Sequence, residues 1–154
     1  MDTLIIFCAQ YLIWFIATSA LVYLFISKEW KRLGILAALS LALAYAAGKL
    51  AGLLWYNARP FVVDNFTPLI AHAANNGFPS DHMLMGATIA SIVFVYNRTL
   101  GLVLWALALA VGLARVAAGI HHPVDLAGSI AVAIVAVAAV NYALMLASAR
   151  HTTN

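Results

Sequence analysis

Three short stretches of this sequence carry residue types that can handle a phosphate group. The first is Asn57-Ala58-Arg59-Pro60, and the second is Phe78-Pro79-Ser80-Asp81-His82. The third runs from Arg115, across five residues, to His121-His122-Pro123-Val124-Asp125. Arginine offers a planar fork of permanently charged donors that matches phosphate oxygens. A helix opening at Pro79 presents free backbone N–H groups and the positive end of its dipole, an anion site. Ser80 adds a hydroxyl donor. Two histidines, His82 and His121, can divide nucleophile work from general acid and base work near neutral pH. Asp125 can hold one ring nitrogen of His121 and leave the other free to attack. The two share a face if both are helical. If Pro123 opens the helix, Asp125 falls in its first turn and can still reach back.

Taken singly, each stretch has a plain structural explanation. An Arg-Pro pair is commonplace, Pro79 to Asp81 fits ordinary helix-start chemistry, and a His and an Asp four apart suit a packed interfacial pair. Taken together they form a specific set, and the rest of the chain must position it. Of 154 residues, 66% are hydrophobic and 8% charged, with a mean hydropathy of +1.00. So few charges cannot cover a water-facing surface, so the solvent of this chain is lipid. The expectation is one membrane domain over residues 1–154. The net charge of +3 and pI of 9.3 do not point to nucleic acid, because the basic residues are scattered between apolar runs. Cys8 is the only cysteine, so no internal disulfide can form, and it reads as a small buried apolar residue. The N-terminus lacks a basic region before its apolar run, which continues to Ile26; it reads as a retained span.

A spanning helix needs roughly 20 apolar residues, and lipid tolerates no open backbone. The fold class expected is therefore all-α: a polytopic bundle of about five transmembrane helices. They cover Leu4 to Ile26, Leu33 to Tyr56, Ser80 to Tyr96, Leu100 to Ala118 and Val124 to Ala147. Lys28, Lys31, Arg32, Arg98 and Arg150 then fall on one side. The positive-inside rule makes that side cytoplasmic, with the N-terminus outside and the C-terminus inside. Lys49, Arg59 and Arg115 map to the outer half, with Asp64, Asp81, Asp125, His72, His82, His121 and His122. Polar clusters in a charge-poor membrane protein mark function by default. Loop polarity accounts for Asp64 and His72, and His72 and His151 are set aside. The connection from Phe61 to Gly77 lies along the interface, either as an entrance for lipid or as simple packing. Gly48 and Gly52 suit close helix packing.

The three stretches resemble the type 2 phosphatidic acid phosphatase superfamily of membrane enzymes. Its pattern is a lysine seven residues before Arg-Pro, then Pro-Ser-Gly-His, then Ser-Arg, five residues, His, three residues and Asp. Arg59-Pro60, Pro79-Ser80-Asp81-His82 and Arg115, His121 and Asp125 match it in order and spacing, and the likeness covers about Lys49 to Gly128. Phe-Pro-Ser-Asp-His most resembles the bacterial undecaprenyl-diphosphate phosphatase branch. The resemblance implies a two-step reaction without metal or cofactor. His121 attacks the terminal phosphorus and becomes a phosphohistidine. His82 protonates the leaving oxygen and then activates water, while Asp125 orients His121. Arg59, Arg115, Ser80 and backbone N–H groups hold the phosphoryl oxygens.

Three departures stand out. Ala114 replaces the serine before Arg115. Asp81 replaces glycine at the phosphate-binding face and should turn towards Arg59, Arg115 or the helix start. Gly52 stands where the lysine belongs, and Lys49 is ten residues before Arg59. Lys49 either snorkels outward to the phosphate or pairs with a carboxylate inside the bundle. His122 points away from His121 and either supports the site from behind or serves the interface. The partner implied is a lipid phosphate or diphosphate in the outer face of a bacterial inner membrane, with undecaprenyl diphosphate first. Phosphatidylglycerol phosphate, phosphatidic acid and lipid A phosphates are the alternatives. Two other classes compete. One is a metal enzyme using His82, His121 and Asp125, which the arginines disfavour. The other is a non-catalytic lipid-binding or transport protein, which the lack of an inverted repeat disfavours.

Overall fold

The computed structural model describes residues 1–151, apart from the side chain of His151, which therefore lies outside the description. Every regular element in it is helical. In chain order these are α1 (Asp2–Gln10), α2 (Leu12–Ile26), α3 (Trp30–Leu54), α4 (Pro60–Val63), α5 (Asp81–Tyr96), α6 (Arg98–Ala117) and α7 (Pro123–His151). Long runs of Leu, Ala, Ile and Val leave the backbone no partner but itself in lipid, so it closes its own hydrogen bonds. Among the described residues, four segments are long and apolar enough to cross a membrane: Asp2–Ile26, Trp30–Leu54, Arg98–Ala117 and Pro123–Arg150.

Two features depart from the simple five-span expectation. The first span is broken at Tyr11, where the backbone turns to φ −108° and ψ −26° between α1 and α2. The third helix of the expected set, α5, has only 16 residues. At 1.5 Å per residue it is about 24 Å long, short of a hydrocarbon core of about 30 Å. It need not meet lipid along its length, because it is the central post of the bundle and packs on α2, α3, α6 and α7. Its buried side chains include Met83, Leu84, Ala87, Ala90 and Val93, and the main core gathers around them with Leu104, Val111 and Ala133. Leu and Ile side chains on the outside of α1, α2, α3 and α7 remain exposed, as a lipid-facing rim requires.

The polar end of the bundle is built from loops. After α3 the chain runs through Asn57 and Arg59 into the short α4, and then through an irregular segment that returns to Pro79. Asn76 clasps this segment. Its Nδ2 donates to the carbonyls of Gly52 (2.8 Å) and Trp55 (3.0 Å). Its Oδ1 accepts from the backbone N–H of Asn57 (2.9 Å) and of Phe78 (3.0 Å). Four bonds from one side chain pin the end of α3 to the start of α5.

Candidate active site

Local backbone chemistry explains where His121 points. Gly119, at φ +78°, takes the left-handed conformation that ends α6 and that a side chain resists. The Ile120 N–H then bonds back to the Arg115 carbonyl at 3.2 Å. This turn accounts for the five residues between Arg115 and His121: the helix stops, reverses, and presents the imidazole beside the guanidinium. Pro123 opens α7, so Asp125 is in its first turn. Its Oδ2 accepts the His122 backbone N–H at 2.8 Å, the reciprocal half of a capping box. The same oxygen lies 3.2 Å from His121 Nδ1. Oδ1 accepts from Asn57 Nδ2 at 2.7 Å. One carboxylate therefore caps a helix and fixes an imidazole.

The tautomer follows from the partners. Arg59 Nη1 is 3.3 Å from His121 Nε2 and also donates to the Ile120 carbonyl at 2.7 Å. Guanidinium only donates, so Nε2 must accept, and the ring proton sits on Nδ1 facing Asp125. His121 and Asp125 are 2% and 0% exposed. Burial holds the His121 pKa below the ordinary histidine value, assisted by the charges of Arg115 and Arg59 and opposed by the bond to Asp125. The ring is neutral at pH 7 and its Nε2 lone pair faces inward.

Nε2 faces a cavity of about 410 Å³. Lys49, Arg59, Asp81, His82, Arg115 and His121 all line it. The residues that the sequence proposed for one site are thus mostly brought to one wall-to-wall space. Arg59 is held by Asn75 Oδ1 (3.0 Å) and the Asn76 carbonyl (3.2 Å). Burial lowers its pKa, offset in part by Asp125 and Asp81, and it stays charged at neutral pH. Arg115 donates from Nη1 to the Ala9 carbonyl at 3.2 Å, just before the break in the first span. A span without any motif therefore helps hold a site residue.

Other placements differ from expectation. Asp81 turns to neither arginine: it pairs with Lys49, whose Nζ is 3.2 and 3.4 Å from its two oxygens. Charge on Lys49 draws it outward to the half-exposed mouth, where the pair keeps its solvation. Ser80 is fully buried and does not line the cavity; its Oγ and Arg115 Nε are buried without a hydrogen-bond partner among the described residues. Asp125 stands behind His121 and outside the cavity wall. Among the described residues no three His, Cys, Asp or Glu side chains gather for metal binding. His82 and His121 do share the cavity, but Asp125 is committed to Asn57, His121 and the α7 cap.

Sequence reasoning missed three residues. His72, set aside as loop polarity, lines the cavity, and its ring stands edge-on to His121 with centroids 6.4 Å apart. Burial, with Arg59 and Arg115, lowers its pKa. Asn75 and Asn76 also line the space. Only Asn76 left a readable trace, as an Asx turn before Phe78-Pro79. His122 holds the Ala58 carbonyl at 3.1 Å through Nε2 and so braces the Arg59 loop.

A compact helical membrane bundle with this His–Asp–Arg arrangement defines a class. The chain belongs to the PAP2 superfamily, whose pattern matches residues 33–148. It is 33% identical over 129 residues to the bacitracin transport permease protein BcrC of Bacillus licheniformis, covering 82% of this chain and 64% of that protein. It is 32% identical over 136 residues to the undecaprenyl-diphosphatase BcrC of Bacillus subtilis, covering 88% and 70%. It is 33% identical over 132 residues to the putative undecaprenyl-diphosphatase YbjG of Escherichia coli, covering 84% and 67%. The chain thus spans about two thirds of the length of these relatives. The crystal structure of Aquifex aeolicus LpxE shares its fold, with a TM-score of 0.77 at 20% identity over 92% of this chain and 85% of that one.

Proposed function

We propose that this chain is a metal-independent lipid phosphatase that converts undecaprenyl diphosphate to undecaprenyl phosphate. The observation that carries the reading is the state of His121. Its Nδ1 is tied to Asp125, and its Nε2 is unprotonated in a cavity between cationic side chains. The names of two relatives, both undecaprenyl-diphosphatases or putatively so, favour this substrate.

In the first step Nε2 attacks the terminal phosphorus, and the bond from phosphorus to the bridging oxygen breaks. His82 gives that oxygen its proton, and undecaprenyl phosphate leaves. His121 is then a phosphoimidazolium, and Asp125 balances its charge. In the second step His82 takes a proton from water, and the water oxygen attacks phosphorus. The P–N bond breaks, releasing inorganic phosphate and restoring neutral His121. Arg59 and Arg115 hold the equatorial oxygens throughout, where charge stabilisation does most work.

The enzyme sits in the bacterial cytoplasmic membrane with the cavity at the extracytoplasmic face. Lys28, Lys31, Arg32, Arg98 and Arg150 lie at the opposite end of the bundle, where Arg32 Nη2 reaches Ser148 Oγ at 3.2 Å. His121→Ala, assayed for phosphate release in detergent, should abolish turnover of undecaprenyl diphosphate. Full turnover by the variant overturns the nucleophile. Phosphatidylglycerol phosphate, phosphatidic acid and lipid A belong on the same panel, and preference for one of them replaces the substrate. Cysteines at the exposed positions Ala74 and Thr99 should label from outside and inside cells respectively; the reverse moves the site to the cytoplasm.

A further inference from the structure

Positive charge in the cavity is arranged in two tiers. At the floor, Arg59 and Arg115 are each 5% exposed beside His121. At the mouth, the side chains of Lys49 and Asp81 are 50% and 65% exposed and bonded to each other. The Lys49 ammonium also lies 5.2 Å from the centroid of the Tyr45 ring.

The lysine cannot stand at position 52, where the family pattern places it. A Cβ on Gly52 would fall 2.9 Å from the Phe78 carbonyl oxygen, so α3 approaches the segment before α5 too closely for any side chain. Lys49 enters three residues earlier, about 4.5 Å further from Arg59 along the helix. It shares a face of α3 with Leu53, four residues on, and both line the cavity. Leu53 and Leu54, at the end of α3, are 84% and 79% exposed, an apolar surface suited to a lipid tail.

A lipid diphosphate is linear: terminal phosphate, second phosphate, tail. With the terminal phosphate at His121 and the tail leaving past Leu53, the second phosphate passes the mouth. We infer that Lys49 is the contact for the second, non-transferred phosphate, and that Asp81 is a positioning residue holding the ammonium there. This rests on the lipid-phosphatase reading above. Asp81 is the counterion of the lysine in this structure. An exposed ion pair is weak, so a diphosphate can take its place. A monophosphate is satisfied by the two arginines and leaves the pair intact. The pair is thus a specificity device for diphosphates.

The test compares farnesyl diphosphate with farnesyl monophosphate, which share one tail, using the purified chain in detergent. In Lys49→Met, the ratio of kcat/KM for diphosphate to that for monophosphate should fall about tenfold or more, as expected for one lost charge-assisted hydrogen bond. Lys49→Arg should restore the ratio to within about threefold of wild type. Lys49→Gln provides a second neutral variant should the methionine disturb folding. An unchanged ratio, or equal losses on both substrates, overturns the second-phosphate assignment. Release of phosphate from neither substrate by wild type overturns the phosphatase reading instead, so the two failures are told apart.

Discussion

Asp125→Asn isolates the electrostatic part of the site. The carboxylate accepts three bonds, from His121 Nδ1 (3.2 Å), the His122 N–H (2.8 Å) and Asn57 Nδ2 (2.7 Å). An asparagine keeps the shape and loses the charge. Its amide NH2 must face one side. Facing His121 would require Nδ1 to accept, moving the ring proton to Nε2 against Arg59 Nη1, where two donors would meet at 3.3 Å. Facing Asn57 is cheaper, because that amide can turn over and accept. The tautomer therefore survives, and what is lost is the charge opposite the phosphoimidazolium. A hydrogen bond to a charged group is worth about 1.5–3 kcal/mol. At 1.36 kcal/mol per factor of ten, kcat should fall roughly 10- to 150-fold. KM should barely move, since Asp125 does not line the cavity. Phosphate release kinetics measure both constants, with thermal unfolding as the control for folding. A folded variant with kcat within about threefold of wild type, or a loss confined to KM, refutes the reasoning.

Two further outcomes follow from the same geometry. The pKa of His121 is held below its ordinary value of 6.5 by burial first and by the arginines. The neutral nucleophile therefore persists as pH falls through 6.5, and kcat/KM should decline only in more acid solution; an acid limb centred above 6.5 contradicts that. Ser80→Ala removes a fully buried hydroxyl that bonds to nothing among the described residues. Stability should change by less than about 1 kcal/mol, or rise, because no bond is lost; a drop of several kcal/mol in denaturant unfolding would show a partner that the reasoning omits.

Much of this protein was legible in one dimension. Apolar runs near 20 residues dictate helices in lipid, because backbone groups have no other partner there. The Arg115 to His121 spacing and the Pro123 to Asp125 start are local: a helix stop at Gly119 and a helix start at Pro123 lie within a few residues of the groups they aim. Chemistry carried by such neighbours can be read from spacing alone. The short α5 was harder, since only burial among four other helices excuses 16 residues from crossing on their own. Likewise, the break at Tyr11 and the Ala9 carbonyl under Arg115 join residues over a hundred positions apart.

The mouth of the site was only partly legible: the sequence left Lys49 between a phosphate and a carboxylate and marked Gly52 for close packing, without naming either partner. Position 52 must be glycine because a carbonyl from a distant loop presses on it. Lys49 meets Asp81 only when α3 and α5 pack. His72, an unremarkable loop histidine in the sequence, comes beside His121 because the segment after α4 folds back over the cavity. The sequence by itself determined the solvent, the helical class and the set of candidate site residues, since hydropathy, capping and side-chain chemistry are local properties. Only the tertiary structure decided which nitrogen of His121 is free, which charge faces Asp81 and where the cavity opens, because those depend on contacts between segments far apart in the chain.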